Sequence, residues 1–323
     1  MTTADPLHPA PPTQAAHRPA WAMPVSLFAG AMGAVQSRIT SRLATELHDG
    51  FSAAAVSFGV GMLLLMVLIG VRPGLRRQVA DFARDLRSGA FPWVLALGGL
   101  GGATFVLGQG LSVALIGVAL FIVCVVAGQT VTGLAVDRIG LGPGGPRPLS
   151  PARALGAALM VGSVALAMSG GVSGHAPWYL LALPVVAGLA MGLQQAVNGR
   201  VSEHSGHFMV ATLTNFVVGT AALLLAAVVH AVVIGQGPAR LPANPLLYLG
   251  GVIGVAYIAM AAHLVRIVGV LTLAMATIAG QIVGSVALDW LLPAPGSQLR
   301  LMTVVGAALT LVATAVTAGF RRR

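Results

Sequence analysis

From residue 21 to residue 320 the chain is a succession of long apolar runs divided by short polar breaks. Runs such as Gly59 to Val71, "GVGMLLLMVLIGV", are apolar on every face and show no alternation of period two. A membrane barrel needs that alternation in segments of about ten residues, so helices are the predicted element. With about 20 apolar residues needed per crossing, the pattern predicts ten helices, at roughly 21–40, 50–71, 91–109, 112–135, 152–172, 177–198, 208–234, 246–263, 268–291 and 299–320. The breaks after the third, fifth and eighth are short enough to make tight hairpins. The division between the third and fourth falls near Gly108–Leu111, and 72–87 reads as an arginine-bearing loop. Residues 1–20 are rich in Pro and Ala, have no apolar face and lack the form of a cleavable signal peptide; they read as a disordered tail.

Composition agrees with this pattern and excludes a water-soluble fold. Hydrophobic residues are 57% of the 323, charged residues 8%, and mean hydropathy is +0.90, whereas a soluble domain carries about a quarter charged residues. The fold class is therefore an all-α polytopic membrane protein. All 18 basic residues are arginines, giving a net charge of +10. With the N-terminus in the cytoplasm, that side receives Arg18, Arg72, Arg76, Arg77, Arg84, Arg87, Arg138, Arg147, Arg153, Arg200, Arg266 and Arg321 to Arg323, while the other receives Arg38, Arg42, Arg240 and Arg300. The positive-inside rule then puts both termini in the cytoplasm. Topology and anionic headgroups account for the basic charge without nucleic acid. Cys124, the single cysteine, lies inside a span and reads as a small apolar residue.

The chain repeats itself. "AGQTVTGLAVD", Ala127 to Asp137, returns as "AGQIVGSVALD", Ala279 to Asp289. The same offset of 152 pairs Gly98, Gly99, Gly102 and Gly117 with Gly250, Gly251, Gly254 and Gly269. An offset of 158 pairs Gly30, Gln36, Arg42, Phe58 and Gly61 with Gly188, Gln194, Arg200, Phe216 and Gly219. Two units result, 21–175 and 176–320, followed by a basic tail at 321–323. Five spans per unit is an odd number, so the second unit enters from the opposite side, an inverted-topology pair of the kind that supports alternating access.

These residues resemble a known family. Gln-x-x-x-Asn-x-Arg at Gln194, Asn198 and Arg200, Phe-x-x-Gly at Phe216 and Gly219, and Ala-Gly-Gln…Asp ending at Asp289 look like the YdcZ-like inner-membrane exporters of the drug/metabolite transporter superfamily. The first copy keeps Gln36, Arg42, Phe58, Gly61, Gln129 and Asp137 but carries Thr40 where the pattern has Asn. The resemblance spans about residues 24 to 320 and implies a ten-span, two-repeat carrier of small molecules in the cell membrane, an exporter by family.

A polar side chain in hydrocarbon faces the bundle interior or a water-filled cavity. Gln36, Gln194, Gln195 and Asn198 in spans 1 and 6, with Gln129 and Gln281 in spans 4 and 9, are the candidates to line a substrate cavity; interhelical hydrogen bonds that fix packing are the alternative. Phe58 and Phe216 are candidates for an aromatic wall or for core. Arg42, Arg200, Asp137 and Asp289 read as helix-end residues or as gate-like ion pairs. No acidic residue falls near the middle of a span, and no P-loop, HExxH or zinc-type cluster occurs, so neither enzyme nor cofactor or metal is expected. The expected activity is secondary export of a small polar or amphipathic metabolite or drug. A non-transporting scaffold or lipid-interacting protein is the alternative, and the oligomeric state is left open, a monomer included. Reporter fusions after Ser88 and after Arg323 are expected to read cytoplasm and one after Gly174 the far side; a cytoplasmic signal at Gly174 contradicts the ten-span count.

Overall fold

In lipid every backbone N–H and C=O must be satisfied within the protein, so each apolar run closes its hydrogen bonds as a helix and each interruption needs its own partners. The computed structural model describes residues 21–142, 146, 151–169, 178–235, 237, 240–268, 270–293 and 299–319. The expected disordered tail 1–20 and the basic tail 321–323 lie outside them. Among the described residues the structure is helical, with no strand. The helices are α1 (Ala22–Leu47), α2 (Gly50–Gly70), α3 (Pro73–Ser88), α4 (Gly99–Ile139), α5 (Pro151–Ser169), α6 (Trp178–Ser205), α7 (Phe208–Ile234), α8 (Leu249–Val268), α9 (Val270–Leu291) and α10 (Leu301–Gly319). Single 3₁₀ turns at Trp93–Ala96 and Pro245–Tyr248 lead into α4 and α8. Among the described residues, four segments are long and apolar enough to cross a membrane by themselves: Gly50–Gly70, Trp93–Ile139, Phe208–Ile234 and Leu273–Leu291.

Local chemistry sets the ends. His48 turns left-handed (φ 52°) to close α1, and the Asp49 carboxylate accepts the N–H groups of Phe51 and Ser52 at 3.0 and 3.2 Å to start α2, as an N-cap side chain does. Three expectations are corrected here. First, α1 and α6 run to Leu47 and Ser205 rather than ending near 40 and 198, because small and apolar positions continue on their packed face. Second, 73–88 is a helix rather than a loop: Pro73 opens it, Gly89 closes it at φ 78°, Leu75 and Phe82 are buried, and the arginines occupy the other face. Such an amphipathic helix suits the headgroup boundary.

The third correction concerns the division between spans 3 and 4. The 41 residues of α4 would reach about 60 Å at 1.5 Å per residue, twice the hydrocarbon thickness. The break falls at Gly117 (φ 80°, ψ 163°) and not at Gly108–Leu111, which is continuous helix. That combination of angles is open to glycine alone among the residues. Beyond it, every residue from Val118 to Gly128 is buried, so this limb is the axis of the bundle, enclosed by α1, α5, α6, α9 and α10. A helix apolar all round belongs there.

Glycines set how closely the axis is approached. A Cβ on Gly30 would collide with the Thr277 carbonyl, one on Gly280 with the Leu27 carbonyl, one on Gly188 with the Val125 carbonyl and one on Gly128 with the Val185 carbonyl. These four contacts fix α1 against α9 and α6 against α4, and they exchange under the two sequence offsets: Gly30 with Gly188, Gly128 with Gly280, Leu27 with Val185, Val125 with Thr277. Gly280→Val should force α1 and α9 apart at a cost of about 1–3 kcal/mol or more, read as a lower melting temperature and a smaller monodisperse fraction in detergent. Gly59→Ala meets nothing within 4 Å and should match or slightly exceed the wild-type melting temperature.

Candidate functional site

A cavity of 620 Å³ lies among α1, α2, α4 and α6 to α9. Gln36, Gln129, Gln194, Gln195, Asn198, Gln281, Phe58 and Phe216 all border it, so the side chains singled out from the sequence, drawn from both repeats, converge on one space. Glycines make the room. Gln194 Oε1 lies 3.3 Å from where a Cβ of Gly102 would sit, Gln36 lies 3.6 Å from the same point on Gly254, and Gln281 lies 3.4 Å from that on Gly33. Gly102 and Gly254 are themselves repeat partners, as are Gln36 and Gln194.

Phe58 and Phe216 meet at the centre with ring centroids 4.9 Å apart and planes inclined by 32°. Each ring fills the space over a glycine of the other repeat, Phe58 over Gly219 and Phe216 over Gly61. Both rings are buried, so they serve as core and as cavity floor at once. The position where the first copy departs from the family pattern has a simple outcome. Thr40 is buried against Gly250, while Asn198 stands against Gly98 and reaches the cavity.

Sequence reasoning missed Asn215, Thr212, Tyr257 and Thr277, which also border the cavity. Asn215 had a usable signal, an amide in the middle of the apolar run 208–234. Its repeat partner is Ser57, so looking for matched amides passed over it. Asn215 is 3% exposed and Gln194 8%, and the Oδ1 of one and the Oε1 of the other have no hydrogen-bond partner. A buried polar atom left unpaired costs about 1–3 kcal/mol, and both oxygens lie against the start of α4, Gln194 Oε1 beside Gly101 and Gly102 and Asn215 Oδ1 beside Gly98.

The four helix-end candidates are distributed differently. Asp289 is buried in the last turns of α9 and pairs with Arg38 at 2.6 Å, not with Arg42, which is exposed. The same carboxylate accepts the backbone N–H groups of Val118 and Ala119 at 3.1 and 2.7 Å. These are the first amides after the Gly117 break, so Asp289 caps the second limb of α4 rather than its own helix. Beside it, Gln109 Nε2 donates to Ser37 Oγ at 2.9 Å. Arg38 carried a signal too: it is a charged residue inside a predicted span, the situation that calls for a buried partner. Arg200 donates through Nε to the Leu141 carbonyl and through Nη2 to the Gly140 carbonyl, so it closes the C-terminal end of α4. Asp137 sits near that same end and is part-buried.

A sequence model of the family described as "Putative inner membrane exporter, YdcZ" matches the chain twice, over residues 21–166 and 179–316. The chain belongs to the YdcZ family. The double match makes this YdcZ-family protein a two-repeat molecule across nearly its whole length, and its family is one of membrane transporters rather than of enzymes. No curated protein matches the chain. Among solved structures, a protein crystal structure at 16% identity superposes with a TM-score of 0.53, over 94% of this chain and 98% of the other, a likeness of fold alone.

Removing one member of the buried Arg38–Asp289 pair should cost about 3–5 kcal/mol. The double variant R38M/D289L should recover most of that, remaining below wild type by about 1–3 kcal/mol for the unsatisfied Val118 and Ala119 amides. Melting temperatures of D289L, R38M and the double variant in one detergent close the cycle; additive losses would show that the pair is not coupled.

Proposed function

We propose that this protein is a secondary exporter of a small polar or amphipathic metabolite or drug. In this reading ten spans form two inverted five-helix repeats with both termini in the cytoplasm, and the cavity is the substrate site of an alternating-access cycle. The observation that carries the proposal is the convergence of amides from both repeats on one cavity. Packing alone would not require Gln36, Gln129, Gln194 and Gln281 to border the same space.

The two repeats do not use equivalent positions in the same way, which is what alternating access requires of any single state. Ser202, Phe208, Thr212, Leu273 and Ala274 border the cavity. Their counterparts Ala44, Gly50, Ala54, Phe121 and Ile122 are buried in helix contacts, in the part of the bundle where Arg38 and Asp289 pair. In the proposed cycle one end is open, with Ser202 and Phe208 at its mouth, and the other is shut by the ion pair and the residues around it. Exchange of roles between the repeats would open the second end. Arg38 Nε has no partner, so the closure is held by less than the full capacity of its groups and is correspondingly easier to undo.

Untargeted metabolite comparison of cells overproducing and lacking the protein identifies the cargo. With that cargo, Gln36→Leu and Gln194→Leu should each lower transport per folded molecule about tenfold, the equivalent of one hydrogen bond at about 1.4 kcal/mol, with melting temperatures near wild type. Full transport per folded molecule in both variants and in the double variant would assign the amides to packing and favour the scaffold alternative.

A further inference from the structure

Asp137 and Asp289 stand in the last turns of α4 and α9, where a carboxylate meets the negative end of its own helix and is disfavoured. For Asp289 the compensation is visible. Its carboxylate accepts the N–H groups of Val118 and Ala119, which begin the second limb of α4. Asp137 is its counterpart at the offset of 152, and the counterparts of Val118 and Ala119 are Val270 and Leu271, where α9 starts. The first amides of a helix have no partner within that helix. The start of α9 therefore offers the same kind of donors as the limb that follows Gly117.

The two segments match in length and share a wall of the cavity. Each aspartate lies 19 residues beyond the first amide of its own segment, 137 against 118 and 289 against 270, which is about 28 Å of helix. From the joint that Asp289 makes, both run beside the cavity, which Gln129 and Thr130 border from one and Thr277 and Gln281 from the other. They are closed together at that joint only. Ile122, one turn beyond Val118, is buried, whereas its counterpart Ala274 is exposed and borders the cavity. Ile282 is buried in the same way, whereas its counterpart Thr130 borders the cavity.

Resting on the carrier reading above, we infer that Asp137 is the residue that shuts the open end. In the second state of the cycle its carboxylate accepts the N–H groups of Val270 and Leu271, as Asp289 now accepts those of Val118 and Ala119. The two aspartates are alternate caps on one pair of helices, each a positioning residue, and the cavity faces whichever end is uncapped.

Cysteine reporters at the two ends test this in the purified full-length protein, in a Cys124→Ala background. Ile122→Cys reports the Asp289 end and Ala274→Cys the other, each through its rate of reaction with a water-soluble maleimide in detergent. Removing the observed cap with Asp289→Leu should raise the rate at position 122 at least about tenfold, the worth of one hydrogen bond to a charged group. Should that variant fail to fold, R38M/D289L provides the same background. Adding Asp137→Ala should bring the rate at 122 back down about tenfold, because the state that exposes 122 then loses its own cap. Adding Asp137→Asn should leave the rate high, since an asparagine oxygen caps a helix start as well as a carboxylate does. A rate at 122 that Asp137→Ala leaves within about twofold, or that Asp137→Asn lowers equally, would overturn the inference. If the rate at 274 falls as that at 122 rises, while Asp137→Ala has no effect, the ends do exchange, and the carrier reading stands without this role for Asp137. A position 122 that stays unreactive in every background, or that reacts with no change at 274 and no response to Asp137→Ala, contradicts both.

Discussion

Backbone-to-backbone contact at glycine is the constraint on which the rest of this structure depends. Lipid tails are as apolar as leucine, so helices gain nothing by hiding apolar surface from them and must associate through close packing. Gly30 and Gly280 bring α1 and α9 together, and Gly188 and Gly128 do the same for α6 and α4. Each contact lies within about two turns of an amide that borders the cavity. The glycines fix the rotation of each helix about its own axis, and that rotation turns Gln36, Gln281, Gln194 and Gln129 toward a shared space instead of toward lipid.

Much of this was legible in the sequence because membrane chemistry leaves few options. Apolar runs without alternation can only be helices, and a glutamine recurring at a fixed offset inside such runs has few places to go other than the interior. The errors came where two explanations share one signal. Gly108 and Gly110 look like a loop, but Gly110 is small because the backbone of Gly50 crosses it, and Gly108 because the Phe121 ring leans on it. Gly117 looks like one more packing glycine, yet it is the position where the chain turns. The arginines of 72–87 suggested a loop because their charge outweighed the spacing of Leu75 and Phe82 on the opposite face.

Tertiary pairing was hidden for a different reason. Asp289 could be assigned to the end of α9 by its sequence neighbours, but its partners lie 251 and 171 residues away, at Arg38 and Val118. No local pattern announces a carboxylate that caps the broken end of another helix. The repeat gave no help: at an offset of 158 the counterpart of Arg38 is Ala196. The pair is therefore a feature of one copy only, visible once the two copies are folded against each other.

That pair also bears on how the membrane voltage acts on the protein. A lone charge carried through the field would feel about 2.3 kcal/mol for every 100 mV. Arg38 and Asp289 sit 2.6 Å apart, and their charges sum to zero, so a rearrangement that moves them together transports no net charge and couples to the field only through a short dipole. While the two stay paired, the buried end of the bundle holds opposite charges that cancel in place and gives the field only that short dipole to act on.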